Sequence, residues 1–282
     1  MDTVKSGRAY IRERLTPVVG EQEVQQFVRL IFEHLRGYSW TELLLKGEEP
    51  LQPEECAFVE EVVARLQRHE PLQYVLGSTE FLGLQLDVGP GVLIPRPETE
   101  ELVQWILEEH GERRLRLLEV GTGSGCIPIA LKHARPRWEV AAWDVSEIAL
   151  EQARGNARKN NVEVTFRQQD VLTYQAEKAR WEVVVSNPPY VTHKEAALMA
   201  ANVLQYEPHL ALFVADHDPL LFYRCIAQVA LQELVPGGRL YFEINEAYGA
   251  ETTALLTSMG FVALSLRKDL SGRDRMLRAQ KP

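Results

Sequence analysis

From Leu115 to the C-terminus, short apolar runs alternate with longer amphipathic stretches, and this alternation constrains the fold more than any other feature. The runs 115–120, 140–143, 164–167, 182–186 and 239–244 are short and rich in Val, Leu and aromatic residues. Between them lie stretches such as 148–159 and 220–234, where apolar residues return at helical spacing. Each strand–helix–strand step implies a crossover, and repeated crossovers build a mostly parallel sheet with helices on both faces. The end differs. The runs 261–267 and 275–279 flank Asp269-Leu270-Ser271-Gly272, so they read as two strands joined by a turn.

The first seventy or so residues carry helical periodicity only. Over 21–36, Val24, Phe27, Leu30 or Ile31, and Leu35 fall on one face. Ser39 with Glu42 three residues later forms a capping-box pattern, and Pro53 stands at a first helical position before Phe58, Val62 and Leu66. Residues 1–71 are therefore expected to form a small all-α bundle, ended by Pro71. Over 72–97, Leu82-Gly83-Leu84-Gln85-Leu86-Asp87-Val88 alternates, and Gly89-Pro90-Gly91 breaks the chain before Val92-Leu93-Ile94, a pattern expected of a β-hairpin linker. A helix over 98–110 then opens the third domain, 98–282. The chain has no internal repeat and no low-complexity segment.

Composition removes several function classes. No run of ~18 apolar residues is present to span a membrane, and Met1 to Gly20 lacks the basic start, apolar core and cleavage site of a secretory signal. Cys56, Cys126 and Cys225 are widely spaced and odd in number, which fits neither a disulfide framework nor a metal site. A cytoplasmic, monomeric protein with reduced thiols and no bound metal is expected. A formal net charge of −9, with no basic stripe, argues against stable nucleic-acid binding.

Glu119-Val120-Gly121-Thr122-Gly123-Ser124-Gly125 closes the first strand of the alternating region and opens a helix. Glycines there allow unusual backbone angles and close approach to a ligand, though many structural turns look alike. Asp144 ends the second strand, where its carboxylate can accept hydrogen bonds from two ribose hydroxyls. Asp170 ends the third, followed by Val171, near where an adenine would lie. Singly, each acid is equally at home as an exposed strand end or a helix cap; in series they favour a cofactor. A nicotinamide dinucleotide prefers G-x-G-x-x-G, whose helix N-terminus faces a pyrophosphate. Here the spacing is G-x-G-x-G and Glu119 precedes it, which suits a cationic amino-acid ligand. S-adenosyl-L-methionine carries an ammonium and a sulfonium and no phosphate.

The most informative segment is Val183-Val184-Val185-Ser186-Asn187-Pro188-Pro189-Tyr190. Three β-branched residues form a buried strand, and the tetrad sits at its C-terminal tip, where open α/β sheets place ligands. Two prolines fix their φ angles, so the Asn187 side-chain oxygen and the Pro188 carbonyl can both accept from one NH₂ group. A carboxamide or aniline-type nitrogen is a poor nucleophile because its lone pair is delocalised. Two fixed acceptors aim it and bind more strongly as positive charge grows during attack. Tyr190 can stack on the flat group. A rigid Pro-Pro turn capped by Asn has the same sequence, but would not explain the glycine loop and strand-end acids beside it.

With these residues in hand, the chain resembles the HemK-type glutamine methyltransferases that modify peptide chain release factors. The likeness runs from Pro71-Leu72-Gln73-Tyr74 and Gly77, through Leu93-Ile94-Pro95-Arg96-Pro97-Glu98-Thr99-Glu100 and the glycine loop, to Asn187-Pro188-Pro189-Tyr190. It continues in Tyr206-Glu207-Pro208, Tyr223-Arg224 and Gly272-Arg273-Asp274-Arg275. The tetrad is shared with DNA-adenine and RNA-guanine methyltransferases; the segment around Arg96 is specific to enzymes acting on protein glutamine, and Arg96 is a candidate substrate-binding residue. The resemblance implies a helical N-terminal domain that helps hold the release factor, a hairpin linker and a Rossmann-like, seven-stranded class I methyltransferase domain. It also implies transfer of a methyl group from S-adenosyl-L-methionine, leaving S-adenosyl-L-homocysteine, to the amide nitrogen of a Gly-Gly-Gln glutamine. Glu119 stands where aspartate is usual, which preserves the acid; Pro219 replaces a glycine, and Asn245 and Tyr248 replace a glycine and a glutamine, departures expected to touch none of the proposed chemistry and to bear on the rim of the substrate site. Rival readings are a methyltransferase for ribosomal-protein glutamine, a nucleic-acid N-methyltransferase, which would need a basic target-recognition segment, and a non-enzymatic nucleotide-binding module.

Overall fold

The computed structural model describes residues 1–175 and 180–282 and divides them into two units, Met1–Gly77 with Ala200–Tyr206, and Ser78–Met199 with Glu207–Pro282. The first is helical: α1 (Val4–Val19), α2 (Glu21–Arg36), α3 (Trp40–Leu45), α4 (Pro53–Leu66) and α5 (Leu72–Leu76). Ser39 caps α3, its hydroxyl accepting from Glu42 N while Glu42 reaches back to Ser39 N, and Pro53 starts α4. In α2 the buried stripe is Val24, Val28, Ile31 and Phe32; Phe27, Leu30 and Leu35 flank it. Apolar residues occupy both i, i+4 rows of this helix, so periodicity alone does not choose between them.

Helix also continues past Pro71. Proline suits a helix start as well as a stop, and α5 runs from Leu72 to Leu76, ended by Gly77 at a φ of +74°. The hairpin is accordingly shorter and earlier than expected: β1 (Ser78–Phe81) pairs antiparallel with β2 (Leu84–Asp87) around Leu82-Gly83. Both turn residues have positive φ, +48° and +77°. A leucine in that conformation is uncommon, so the turn is not announced by its residue types. Val92 to Ile94 is not a strand.

The second unit follows β1–β2 with α6 (Pro97–His110), β3 (Arg116–Val120), α7 (Cys126–Ala134), β4 (Glu139–Asp144), α8 (Glu147–Lys159), β5 (Thr165–Gln168) and β6 (Trp181–Ser186). After β7 (Val191–Thr192) comes α9 (Ala201–Tyr206), which belongs to the first unit, where the Tyr206 hydroxyl donates to Arg68 O at 2.8 Å. The chain returns with α10 (His209–Leu212), β8 (Phe213–Val214), α11 (Leu221–Glu233), β9 (Leu234–Glu243), α12 (Gly249–Ser258), β10 (Val262–Lys268) and β11 (Asp274–Gln280).

Among the described residues the main sheet has seven strands in the order β10-β11-β9-β6-β3-β4-β5. Pairs among β9, β6, β3, β4 and β5 are parallel, while β11 runs antiparallel to β9 and to β10. Val183 and Val185 face one apolar layer with α6 and α7, and Val184 faces the other with α11. This period-two division buries β6 on both sides, which explains its run of valines. Strand order reverses beside β3, so the C-terminal tips of β3, β4 and β6 surround the crevice where such sheets bind ligands. Among the described residues, no helix is long and apolar enough to cross a membrane.

Candidate active site

The turn from β3 into α7 is held from below. Gly121 N and Thr122 N both donate to Trp143 O, at 2.8 and 3.0 Å, and Gly123 N donates to Asp144 Oδ2 at 2.9 Å. Gly121, Gly123 and Gly125 all have positive φ. At Gly125 a side chain is excluded by space as well: a Cβ would lie 2.9 Å from Ile129 Cδ1 and 3.0 Å from Ala153 Cβ. No neighbour crowds a Cβ at Gly121 or Gly123, so those two supply conformation and an open approach to the backbone.

Glu119 is buried, and its Oε2 has no hydrogen-bond partner among the described residues, nor has Thr122 Oγ1. Burial, opposed by the neighbouring Thr122 hydroxyl and helped by repulsion from the Asp144 carboxylate, pushes the Glu119 carboxyl up to about 8. An orphaned buried carboxylate oxygen at the end of a strand is costly unless a donor, best a cation, meets it. Asp144 is raised for the same reason, burial, against three backbone amides, those of Gly123, Ser146 and Val145. A carboxylate offers about four lone-pair sites, so Asp144 keeps capacity to accept from an incoming hydroxyl. Asp170 lies two residues beyond β5 rather than at its end, with Oδ1 accepting from Leu172 N at 2.8 Å.

These groups share one cavity of about 350 Å³, lined by Glu119, Gly121, Thr122, Gly123, Ser124, Asp144, Asp170, Val171, Asn187, Pro188, Pro189 and Arg96. Gly125 and Tyr190 do not line it. Thr99, which motif reasoning did not single out, does. Arg96 pairs with the buried Glu207, Nη2 to Oε1 at 2.6 Å, while Ile94 N donates to Glu207 Oε2 at 3.0 Å. An arginine expected to wait for substrate is thus already paired, and Glu207 is the residue that fixes the segment before α6.

At the tip of β6, Ser186 Oγ donates to Val120 O at 2.6 Å, tying the tetrad strand to β3. Asn187 Nδ2 donates to Thr99 Oγ1 at 3.4 Å, and Thr99 Oγ1 donates to Glu243 Oε2 at 2.6 Å. The Tyr190 hydroxyl donates to Glu243 Oε1 at 3.1 Å, and burial holds its pKa well above that of a free phenol. Burial also raises Glu243, opposed by the Thr99 hydroxyl, the Arg275 guanidinium and Tyr190.

One departure from the family pattern is not at the rim. Asn245 is buried, its Nδ2 donating to Tyr190 O at 3.1 Å and to Glu195 Oε1 at 3.1 Å while its Oδ1 accepts from Ala247 N. Glu195 in turn accepts from the Thr192 amide and hydroxyl, at 2.8 and 2.7 Å. A buried Asn side chain therefore braces the turn after Pro189. Nothing in the local sequence signals this, because Asn245 and Glu195 are fifty positions apart. Tyr248 is half-buried, as is Pro219.

Comparison with known proteins gives two family models that match, the Methyltransferase small domain over residues 97–212 and the PrmC N-terminal domain over residues 8–77. A release factor glutamine methyltransferase from Bacteroides thetaiotaomicron is 44% identical over 274 residues, covering 97% of this chain and 98% of that protein. One from Flavobacterium psychrophilum is 41% identical over 98% of both chains, and one from Streptococcus pneumoniae 38% identical over 92% and 93%. Among solved structures, a methyltransferase from Pyrococcus furiosus aligns with a TM-score of 0.53 at 19% identity, covering 71% of this chain and 90% of that one. A 16S rRNA methyltransferase from Thermus thermophilus in complex with AdoMet and guanosine gives 0.53 at 20% identity, covering 73% and 50%. These two likenesses report the fold alone.

Proposed function

The chain belongs to the release factor glutamine methyltransferase family, and from that premise we propose that Asn187 and Pro188 hold the reacting amide in the cavity at the tips of β3, β4 and β6. The activity is transfer of a methyl group to the side-chain amide nitrogen of a release-factor glutamine. We take the methyl donor to be S-adenosyl-L-methionine, which when bound supplies an electrophilic methyl group on a sulfonium.

The observation that carries this reading is the orphaned Glu119 oxygen beside a glycine turn. It fits the ammonium of an amino-acid-like ligand and would repel a phosphate. Asp144 then takes the ribose hydroxyls, with Asp170 and Val171 beside the base. Asn187 Oδ1 and the Pro188 carbonyl accept the two amide hydrogens and oppose conjugation of the nitrogen lone pair. Their pull strengthens as the nitrogen becomes positive, so they act on the transition state more than on the ground state. No base is needed before attack; the proton leaves a nitrogen that has become acidic. The helical unit Met1–Gly77 is proposed to bind the release factor away from the reacting loop.

The test offers labelled S-adenosylmethionine with an intact release factor, a variant lacking the Gly-Gly-Gln glutamine, ribosomal proteins and tRNA. Label on the intact factor, mapped to that glutamine, is expected. Equal labelling of the glutamine-less variant, or preference for RNA, overturns the assignment.

A further inference from the structure

A side-chain amide at a reacting centre is useful in only one of its two orientations. If Asn187 presented Nδ2 to the substrate, two NH₂ groups would face each other; catalysis requires Oδ1 there. Rotating the amide by half a turn exchanges the two at almost no cost in shape, so something must select.

The hydrogen bonds behind Asn187 contain such a selector. A threonine hydroxyl has one hydrogen to donate. Thr99 commits its hydrogen to Glu243 Oε2 at 2.6 Å, the shorter of its two contacts. Glu243 is buried at the end of β9 and accepts on its other oxygen from Tyr190; these two donors and the Arg275 guanidinium favour its ionised form against burial, and as a carboxylate it has no hydrogen to return. Toward Asn187, Thr99 Oγ1 can therefore only accept, and only Nδ2 can donate to it. That link is 3.4 Å, long for a hydrogen bond, so what it contributes is direction more than strength. With Nδ2 drawn to Thr99, the atom left for the cavity is Oδ1.

We propose that Thr99 and Glu243 are positioning residues that fix the amide orientation of Asn187, through a one-way relay from the Glu243 carboxylate to the Thr99 hydroxyl to Nδ2. This rests on the role given to Asn187 above. Thr99 stands at the start of α6 and Glu243 at the end of β9, so the relay exists only once β9 has docked beside β6.

The test is a cycle of Thr99→Val and Asn187→Ala in the full-length enzyme, with Thr99→Ser as the rescue. Valine keeps the shape and removes the hydroxyl. Thr99→Val is expected to lower kcat about tenfold, the scale of one lost neutral hydrogen bond, with KM for cofactor and release factor little changed. Thr99→Ser recovers most of that loss. In the Asn187→Ala background Thr99→Val should cost nothing further in kcat, because the residue it acts through is gone; a role in packing would add its penalty regardless. Should Thr99→Val not fold, Glu243→Gln carries the same test, since a glutamine can donate as well as accept and removes the direction. Wild-type kcat in a folded Thr99→Val, or additive losses in the double variant, overturns the relay alone. Normal turnover by Asn187→Ala overturns the tetrad reading and the relay with it.

Discussion

Glu119 and Asp144 are neighbouring carboxyls that burial raises in the same direction. In the cofactor-free protein the Glu119 carboxyl is buried and raised to about 8 from 4.5. The folded state therefore binds more protons than the unfolded state between those values, and stability falls as pH rises through that window. Glu119→Gln should remove this dependence and raise the urea midpoint near pH 7, while weakening cofactor binding. A variant with a lower midpoint and unchanged affinity would exclude Glu119 from the site. In the wild type a cationic ligand favours the ionised carboxyl, so cofactor affinity should rise with pH up to about 8, with release of protons below it. Calorimetry in buffers of different ionisation enthalpy reads that release directly. Asp144→Ala, by loss of hydrogen bonds to a charged acceptor, is expected to cost roughly 1.5–3 kcal/mol of cofactor binding; equal affinity by titration would remove it from the ribose site. Asn187→Ala should bind cofactor normally and lose ~10²–10³ in kcat, by analogy with removal of one preorganised donor from an oxyanion hole. For Tyr190 the structure shifts the emphasis from the ring to the hydroxyl, which is engaged with Glu243 while the ring does not line the cavity. Tyr190→Phe should then be measurably impaired; full activity would return the role to the ring.

At the scale of elements, the β3–α7 turn and the segment after the tetrad are held by different means. The turn depends on glycine geometry. Gly125→Ala meets both a φ of +82° and contacts under or near 3.0 Å from α7 and α8, and should cost ~1–3 kcal/mol or more of stability with loss of cofactor binding. Gly123→Ala meets strain alone, at φ +54°, and should be the milder in a urea titration. The order reversed would show that the turn relaxes more freely than its packing implies. The segment after Pro189 depends on Asn245, whose amide reaches Tyr190 O and Glu195. Motif and spacing made the glycine loop and the tetrad legible, because each is a local answer to a local need. The bracing roles were not legible. Thr99 and Glu207 stand within family-like segments and Asn245 among the departures, but what they and Glu243 hold is set by partners 50 to 144 positions away. The Leu82-Gly83 turn was hidden for a different reason: a leucine holds a conformation that residue type alone assigns to glycine or asparagine.

At the scale of the molecule, the chain contributes to its helical unit twice, through Met1–Gly77 and again through Ala200–Tyr206, directly before Glu207 pairs with Arg96 in the other unit. A contact on the release factor remote from the reacting loop would lend binding energy to the chemical step. An intact release factor is therefore expected to exceed a short Gly-Gly-Gln peptide in kcat/KM by well over about tenfold, and equal values would leave the helical unit without a substrate role. What the sequence by itself determined was the alternating β/α architecture, the antiparallel end and the residue types gathered at the strand tips, since periodicity, turn chemistry and motif spacing act over a few residues. The tertiary structure alone decided which carboxylates are spent and which are kept. Glu207 and Glu243 are consumed in holding Arg96, Thr99 and Tyr190, whereas Glu119 is left buried with an oxygen unpaired. Identical side chains differ here only in desolvation and in which distant donors the folded chain brings to them, and neither quantity exists before the sheet is assembled.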